Sequence, residues 1–149
     1  MILAERASDS PGSELLAAML LELEVLYGVL DAARTPAATP ADMAPPGGVF
    51  LVIYEDGVAV ACGGVKRLSH DTGEIKRMFV APAARSRGHA RRMLGALESA
   101  ARDLGYVRVR LDTGAAQPHA QHLYASAGYC SIPDYNGNAY AAHWFEKDL

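Results

Sequence analysis

Between Val80 and Leu94 the sequence reads VAPAARSRGHARRML, with four arginines and a histidine grouped around Gly88. The chain as a whole carries a formal charge of −3, so this positive charge is local. A strand pattern ends at Val80, and the spacing of Ala90, Met93, Leu94, Leu97, Ala101 and Leu104 predicts a helix that Gly105 stops. The helix therefore opens within RSRGHA. A first helical turn leaves backbone N–H groups unpaired and carries about half a positive charge. Gly88 lets a ligand approach the backbone, and Ala90 adds only a methyl group. Arg85, Arg87, His89 and Arg91 surround the turn with further charge. The chemistry such a turn performs is anion binding, and a pyrophosphate is its natural occupant. Arg91 and Arg92 have a plainer alternative as the solvated outer face of the helix. No GxxxxGK[ST] loop is present, and no GxGxxG follows a strand. Gly63, in GGVKR, lies inside a strand pattern and reads as a bulge or a close backbone contact.

Other reactive residues group less well. His119 and His122 stand three apart on a predicted helix without a third ligand, so no metal site is expected. His70–Asp71 lies in a turn pattern. Cys62 and Cys130 form no CxxC and are expected to be free, buried thiols in a reducing cytoplasm. Tyr135, Tyr140 and Trp144 either line a pocket or pack in the last strands.

The elements that must position these residues can be read in order. Ile2–Arg6 is a short strand, and Ser13 is an N-cap. The spacing from Leu15 to Leu30 predicts a core-facing amphipathic helix. Thr35–Gly48, with four prolines, is a loop. Val49–Tyr54, Val58–Arg67 and Glu74–Val80 form an antiparallel meander turned by EDG and LSHDTG. After the basic helix come a strand over Tyr106–Leu111 and a helix starting at Pro118 and ending at Gly128. A strand near Tyr129–Ile132 and another near Ala141–Lys147 make a final hairpin. The order is mixed α+β.

With 149 residues, half hydrophobic and 21% charged, residues 1–149 are expected to form one soluble domain. The acidic balance argues against a nucleic-acid binder. MILAERASDS is unlike a secretory signal, and Glu22 and Glu24 interrupt the most apolar run. A cytoplasmic protein without membrane contact is expected.

RSRGHA fits the [Q/R]-x-x-G-x-[G/A] pattern of the GNAT N-acetyltransferase superfamily through Arg85, Gly88 and Ala90. It follows a strand ending in MFVAP, and LYASAGY (Leu123–Tyr129) comes about thirty residues later. From Val49 onward the chain resembles that superfamily. The resemblance implies a mostly antiparallel twisted sheet flanked by helices, with a splayed central strand pair. It implies an acetyl-CoA site, with no metal, in which the backbone amides from Arg85 to Ala90 hold the pyrophosphate. That span takes in Ser86, Arg87, Gly88 and His89, with Arg91 beside it. The strand end Met78–Phe79–Val80 would follow the pantetheine arm, Met78 and Val80 through backbone hydrogen bonds. Gln117 stands where many relatives carry asparagine, and Ser86 where many carry glycine.

Acetyl transfer to an amine needs a neutral nucleophile and a protonated leaving thiolate. A lysine-like amine has a pKa of roughly 10.4 and must lose a proton. The resemblance makes Tyr124 the acid, from LYASAGY, with simple packing as its alternative. Glu74, six residues before Val80, stands at the offset of the general base in the histone-acetyltransferase branch. Its alternatives are a solvated strand-edge carboxylate beside a turn, or a partner for Lys76 or Arg77. The expected activity is acetyl transfer from acetyl-CoA to a primary amine, on a small molecule or peptide, by direct attack in a ternary complex. A non-catalytic CoA-binding module and a basic interaction domain are the alternatives. Homodimers are common among relatives, and the last strands offer pairing edges.

Overall fold

A computed structural model describes all 149 residues, Met1–Leu149. It contains strand β1 (Ile2–Ala4), helix α1 (Gly12–Tyr27), and strands β2 (Val49–Glu55), β3 (Val58–Arg67) and β4 (Thr72–Val80). Helix α2 (His89–Asp103), strand β5 (Arg108–Thr113), helix α3 (Pro118–Ser126), and strands β6 (Cys130–Ile132) and β7 (His143–Asp148) complete it. The strands form one sheet in the order β1-β2-β3-β4-β5-β7-β6. All neighbours are antiparallel except β4 and β5. The expected α+β architecture, its meander and its terminal hairpin are all present.

Alternation along β2 and β3 sends successive side chains to opposite faces of the sheet. Leu51, Ile53, Ala61 and Val65 pack with Met93, Leu94 and Leu97 of α2. Phe50, Val52 and Cys62 pack with Leu15 of α1 and Met43 of the proline-rich loop. Burial in this second cluster pushes the Cys62 thiol up to about 12. Cys130 is exposed, against expectation, because it lies on the short outermost strand.

Two features of β4 shape everything that follows. Cys62 pairs with Phe79 but Gly64 pairs with Lys76, so Gly63 faces two residues, Arg77 and Met78. This is a β-bulge, and Arg77 takes φ 59° to form it. Gly63 permits it: a Cβ there would lie 2.8 Å from Leu97. Secondly, β4 pairs with β5 only from Thr72–Arg108 to Glu74–Arg110. Beyond Glu74 the two strands part.

Several boundaries differ from expectation, each for a local reason. Helix α1 begins at Gly12 after Pro11, with Ser13 inside its first turn rather than capping it. It ends at Tyr27 because Gly28 turns to φ 77°. Its apolar stripe does not all face a core: Leu20 and Leu26 are 47% and 42% exposed. Tyr106 closes the turn after α2, its N–H donating to Ala101 O at 3.0 Å, so β5 starts two residues later than predicted. No helix is long and apolar enough to cross a membrane.

Candidate active site

The parting of β4 from β5 opens the sheet, and cavities lie on both sides of the gap. One, of about 890 Å³, lies among the end of β4, the start of α2 and the start of α3. The other, of about 450 Å³, lies between α1, the bulge of β4 and the end of β5. Met78, Gln117, Ala120 and Tyr124 line both, so the cavities meet there.

The larger cavity holds nearly all of the predicted cofactor residues: Met78, Phe79, Val80, Arg85, Ser86, Gly88, His89, Ala90, Arg91 and Gln117. After β4 a single 3-10 turn, Pro82–Ala84, leads to Ser86 at φ 64° and Gly88 at φ 83°. Gly88 is the N-cap of α2 and no side chain caps the helix. No acceptor within the chain meets the amides of Ser86 through Arg91. Six adjacent donors of this kind suit a diphosphate, and about 890 Å³ is room enough for a nucleotide-bearing ligand. The Arg85 amide, expected among them, instead donates to Pro82 O at 3.3 Å.

The basic side chains divide the work differently from expectation. Arg85 turns back on the fold: its Nε donates to Val80 O at 3.0 Å and its Nη2 to Glu22 of α1 at 2.6 Å. Arg87 does not line the cavity and pairs with Glu55 at the end of β2. Glu55 also meets Nε2 of the buried His89 at 2.6 Å. The contact with His89, and secondarily with Arg87, holds the Glu55 carboxyl below its usual range. Glu55 thus clamps both sides of Gly88 from another strand, an anchor that motif reading does not reveal. Glu55→Gln is expected to weaken CoA binding about tenfold, roughly what one charged hydrogen bond contributes. Titration calorimetry with CoA checks this, and an unchanged affinity would make the clamp irrelevant.

Tyr124 sits at the junction, 7% exposed. Its ring is enclosed by Tyr129 and Phe145, at centroid distances of 5.7 and 5.8 Å. Its hydroxyl has only Met78 Sδ as a protein partner, at 3.9 Å. Burial, helped by the charge of Asp112, pushes the phenol above its ordinary value. Gln117 Oε1 receives Tyr27 OH at 3.4 Å and Gly114 N–H at 3.3 Å, which fixes the loop before α3.

Glu74, the expected base, lies away from both cavities. It is 1% exposed. Its Oε2 accepts from Tyr135 OH at 2.5 Å and Asn136 Nδ2 at 3.1 Å. Its Oε1 faces Lys76 Nζ at 3.8 Å. The carboxylate is therefore an internal strut between β4 and the PDYNGN turn, not a solvated edge residue. The carboxylates that do line the smaller cavity are Glu24 and Asp112. Asp112 Oδ2 accepts from Asn136 and Asn138 at 2.6 and 3.3 Å. Sequence alone missed Asp112, because its place in the cavity wall follows from the parting of β4 from β5, which has no local signature in β5.

A sequence profile of the Acetyltransferase (GNAT) family matches residues 16–129. The chain belongs to that family. It is 34% identical over 128 residues to an IAA acetyltransferase of Azospirillum brasilense, covering 83% of this chain and 82% of that one. A Klebsiella pneumoniae protein described as an acyl-CoA N-acyltransferase shares 28% identity, with a TM-score of 0.76 over 100% of this chain and 97% of that one. A GNAT-family acetyltransferase of Staphylococcus aureus has the same fold, at TM-score 0.78 and 18% identity, covering 100% and 99% of the two chains. Within this GNAT chain, His119 and His122 are exposed. Tyr140 lines the smaller cavity, whereas Tyr135 and Trp144 serve the buried network, Trp144 Nε1 donating to Asn136 Oδ1 at 3.0 Å.

Proposed function

We propose that this GNAT protein transfers the acetyl group of acetyl-CoA to a primary amine, by direct attack within a ternary complex. The observation that carries the reading is the meeting of two cavities at Tyr124, one of which ends in six unpaired amides. The amides of Ser86–Arg91 would hold the diphosphate, and the end of β4 at Met78–Val80, parted from β5, would guide the pantetheine arm. Acetyl-CoA supplies the thioester carbonyl carbon, at which the C–N bond forms as the C–S bond breaks. Tyr124 gives its hydroxyl proton to the departing sulfur. Asp112, rather than Glu74, draws the acceptor amine into the smaller cavity and takes its proton through solvent contacts at the cavity mouth. As the C–S bond breaks the nitrogen gives up its second proton. One of its two protons restores Tyr124 and the other leaves to solvent. An ammonium acceptor and acetyl-CoA thus yield the amide, CoA thiol and one proton. Arg85 and Glu55 are positioning residues for the loop.

Titration with CoA and acetyl-CoA, followed by a thiol-release assay over an amine panel, tests this. A CoA species at a hundred times its Kd adds about 2.7 kcal/mol of stability, read as a raised thermal midpoint. Binding with amine-dependent thiol release is the expected result. Binding without release from any amine would identify a CoA-binding module. Stabilisation by an oligonucleotide alone would identify an interaction domain.

A further inference from the structure

The smaller cavity carries a cation with no partner. Arg77 lines it, and its guanidinium makes no hydrogen bond or ion pair with any group of the chain. The other buried cation nearby is already neutralised, since Lys76 lies between Glu74 and Asp112 at 3.8 and 3.9 Å. The position of Arg77 is also costly. Its φ of 59° is unusual for a residue with a side chain, and the β4 bulge imposes it. Partial burial pulls its pKa below the ordinary guanidinium value, although Asp112 opposes that shift. A desolvated guanidinium on a strained bulge suits a ligand anion better than it suits the fold.

The facing wall is the end of β5, where Asp112 supplies a carboxylate. The two strands therefore present opposite charges across the gap, and α1 closes it with Leu20, Leu23 and Tyr27.

We propose that the acceptor is an amino-carboxylate with an apolar side chain. Its amine lies toward Asp112 and Tyr124, its carboxylate on Arg77, and its side chain against α1. This rests on the acyl-transfer reading above. A monoanion fits better than a phosphate ester, because one free guanidinium balances one charge and Asp112 and Glu24 repel a second. The volume of about 450 Å³ suits a molecule of amino-acid size.

The test compares leucine and phenylalanine with their carboxamides and with the amines lacking the carboxylate, by kcat/KM. The free acids are expected to exceed both analogues roughly ten- to hundredfold, as a charged bidentate contact allows. Arg77→Gln should bring that preference to near parity through KM, while Arg77→Lys keeps part of it. CoA affinity of both variants, by calorimetry, should match the parent and report an intact fold. Equal efficiency on carboxamides, no acetylation of any amino-carboxylate, or a preference that survives R77Q overturns the inference. Failure of the parent protein to bind CoA would instead overturn the acyl-transfer reading, and this inference with it.

Discussion

Gly88→Val is expected to cut CoA affinity at least a hundredfold while the protein stays folded. Gly88 sits at φ 83° with the N-cap role of α2. A β-branched residue there pays about 1–2 kcal/mol for the left-handed conformation, or relaxes toward negative φ. Relaxation rotates the peptide planes on either side, and with them the amides of Arg87 to His89. Each amide lost to a diphosphate removes a charged hydrogen bond of about 1.5–3 kcal/mol, so misplacing two exceeds a hundredfold. The fold itself loses little, since nothing lies within 4 Å of a Cβ at this position. A thermal midpoint lower by a few degrees is the expected limit. Gly105→Val supplies the control. Gly105 has φ 91° and equally open surroundings at the far end of α2, so that change repeats the strain away from the loop. Calorimetry with CoA on both variants decides the matter. Equal loss in both would mean that general destabilisation is at work, and loss in neither would remove the amides from cofactor binding.

What the sequence made legible was whatever a local period or a local backbone requirement controls. The helix after Gly88, the meander around EDG and the irregularity at Gly63 all follow from residues that are neighbours in the chain. The bare amide turn was readable for the same reason, since helix geometry alone leaves those groups unpaired. Glu74 shows the opposite case. Its offset from Val80 gave its strand position correctly, but its environment comes from Tyr135 and Asn136, some sixty residues away. Those partners turn a solvent-facing carboxylate into an internal strut. The reach of Glu55 to Arg87 and His89 is hidden likewise, because a hairpin end has no periodic signature of its distant contacts. The apolar excess of α1 misled in the other direction. Part of that stripe lines the smaller cavity instead of a core, and spacing cannot distinguish the two uses.

Tyr124→Phe is expected to lower kcat by roughly 10²–10⁴ with CoA affinity and stability nearly unchanged. The phenol is enclosed by aromatic rings, and phenylalanine keeps that packing. Only the hydroxyl is removed, and its sole protein partner is a thioether at 3.9 Å, so the fold forfeits almost nothing. The cost falls on the departing thiolate, which must then collect its proton from water. The pH profile gives an independent check. Because burial raises the pKa of Tyr124, the protonated, donating form persists beyond the range in which an ordinary tyrosine ionises. The acid is therefore fully loaded at neutral pH and is lost only above its raised value. Acceptor amines, by contrast, become reactive as they lose protons, near pH 8 for the terminal amine of a peptide, roughly 10.4 for a lysine-like one, and between the two for a free amino-carboxylate. The parent rate should climb with pH to a plateau set by the acceptor and show no fall below about pH 10. In Y124F the same rise should appear on a far lower plateau. A variant within threefold of the parent rate, or a parent profile that falls between pH 7 and 9, would return Tyr124 to a packing role and require another proton donor at the junction.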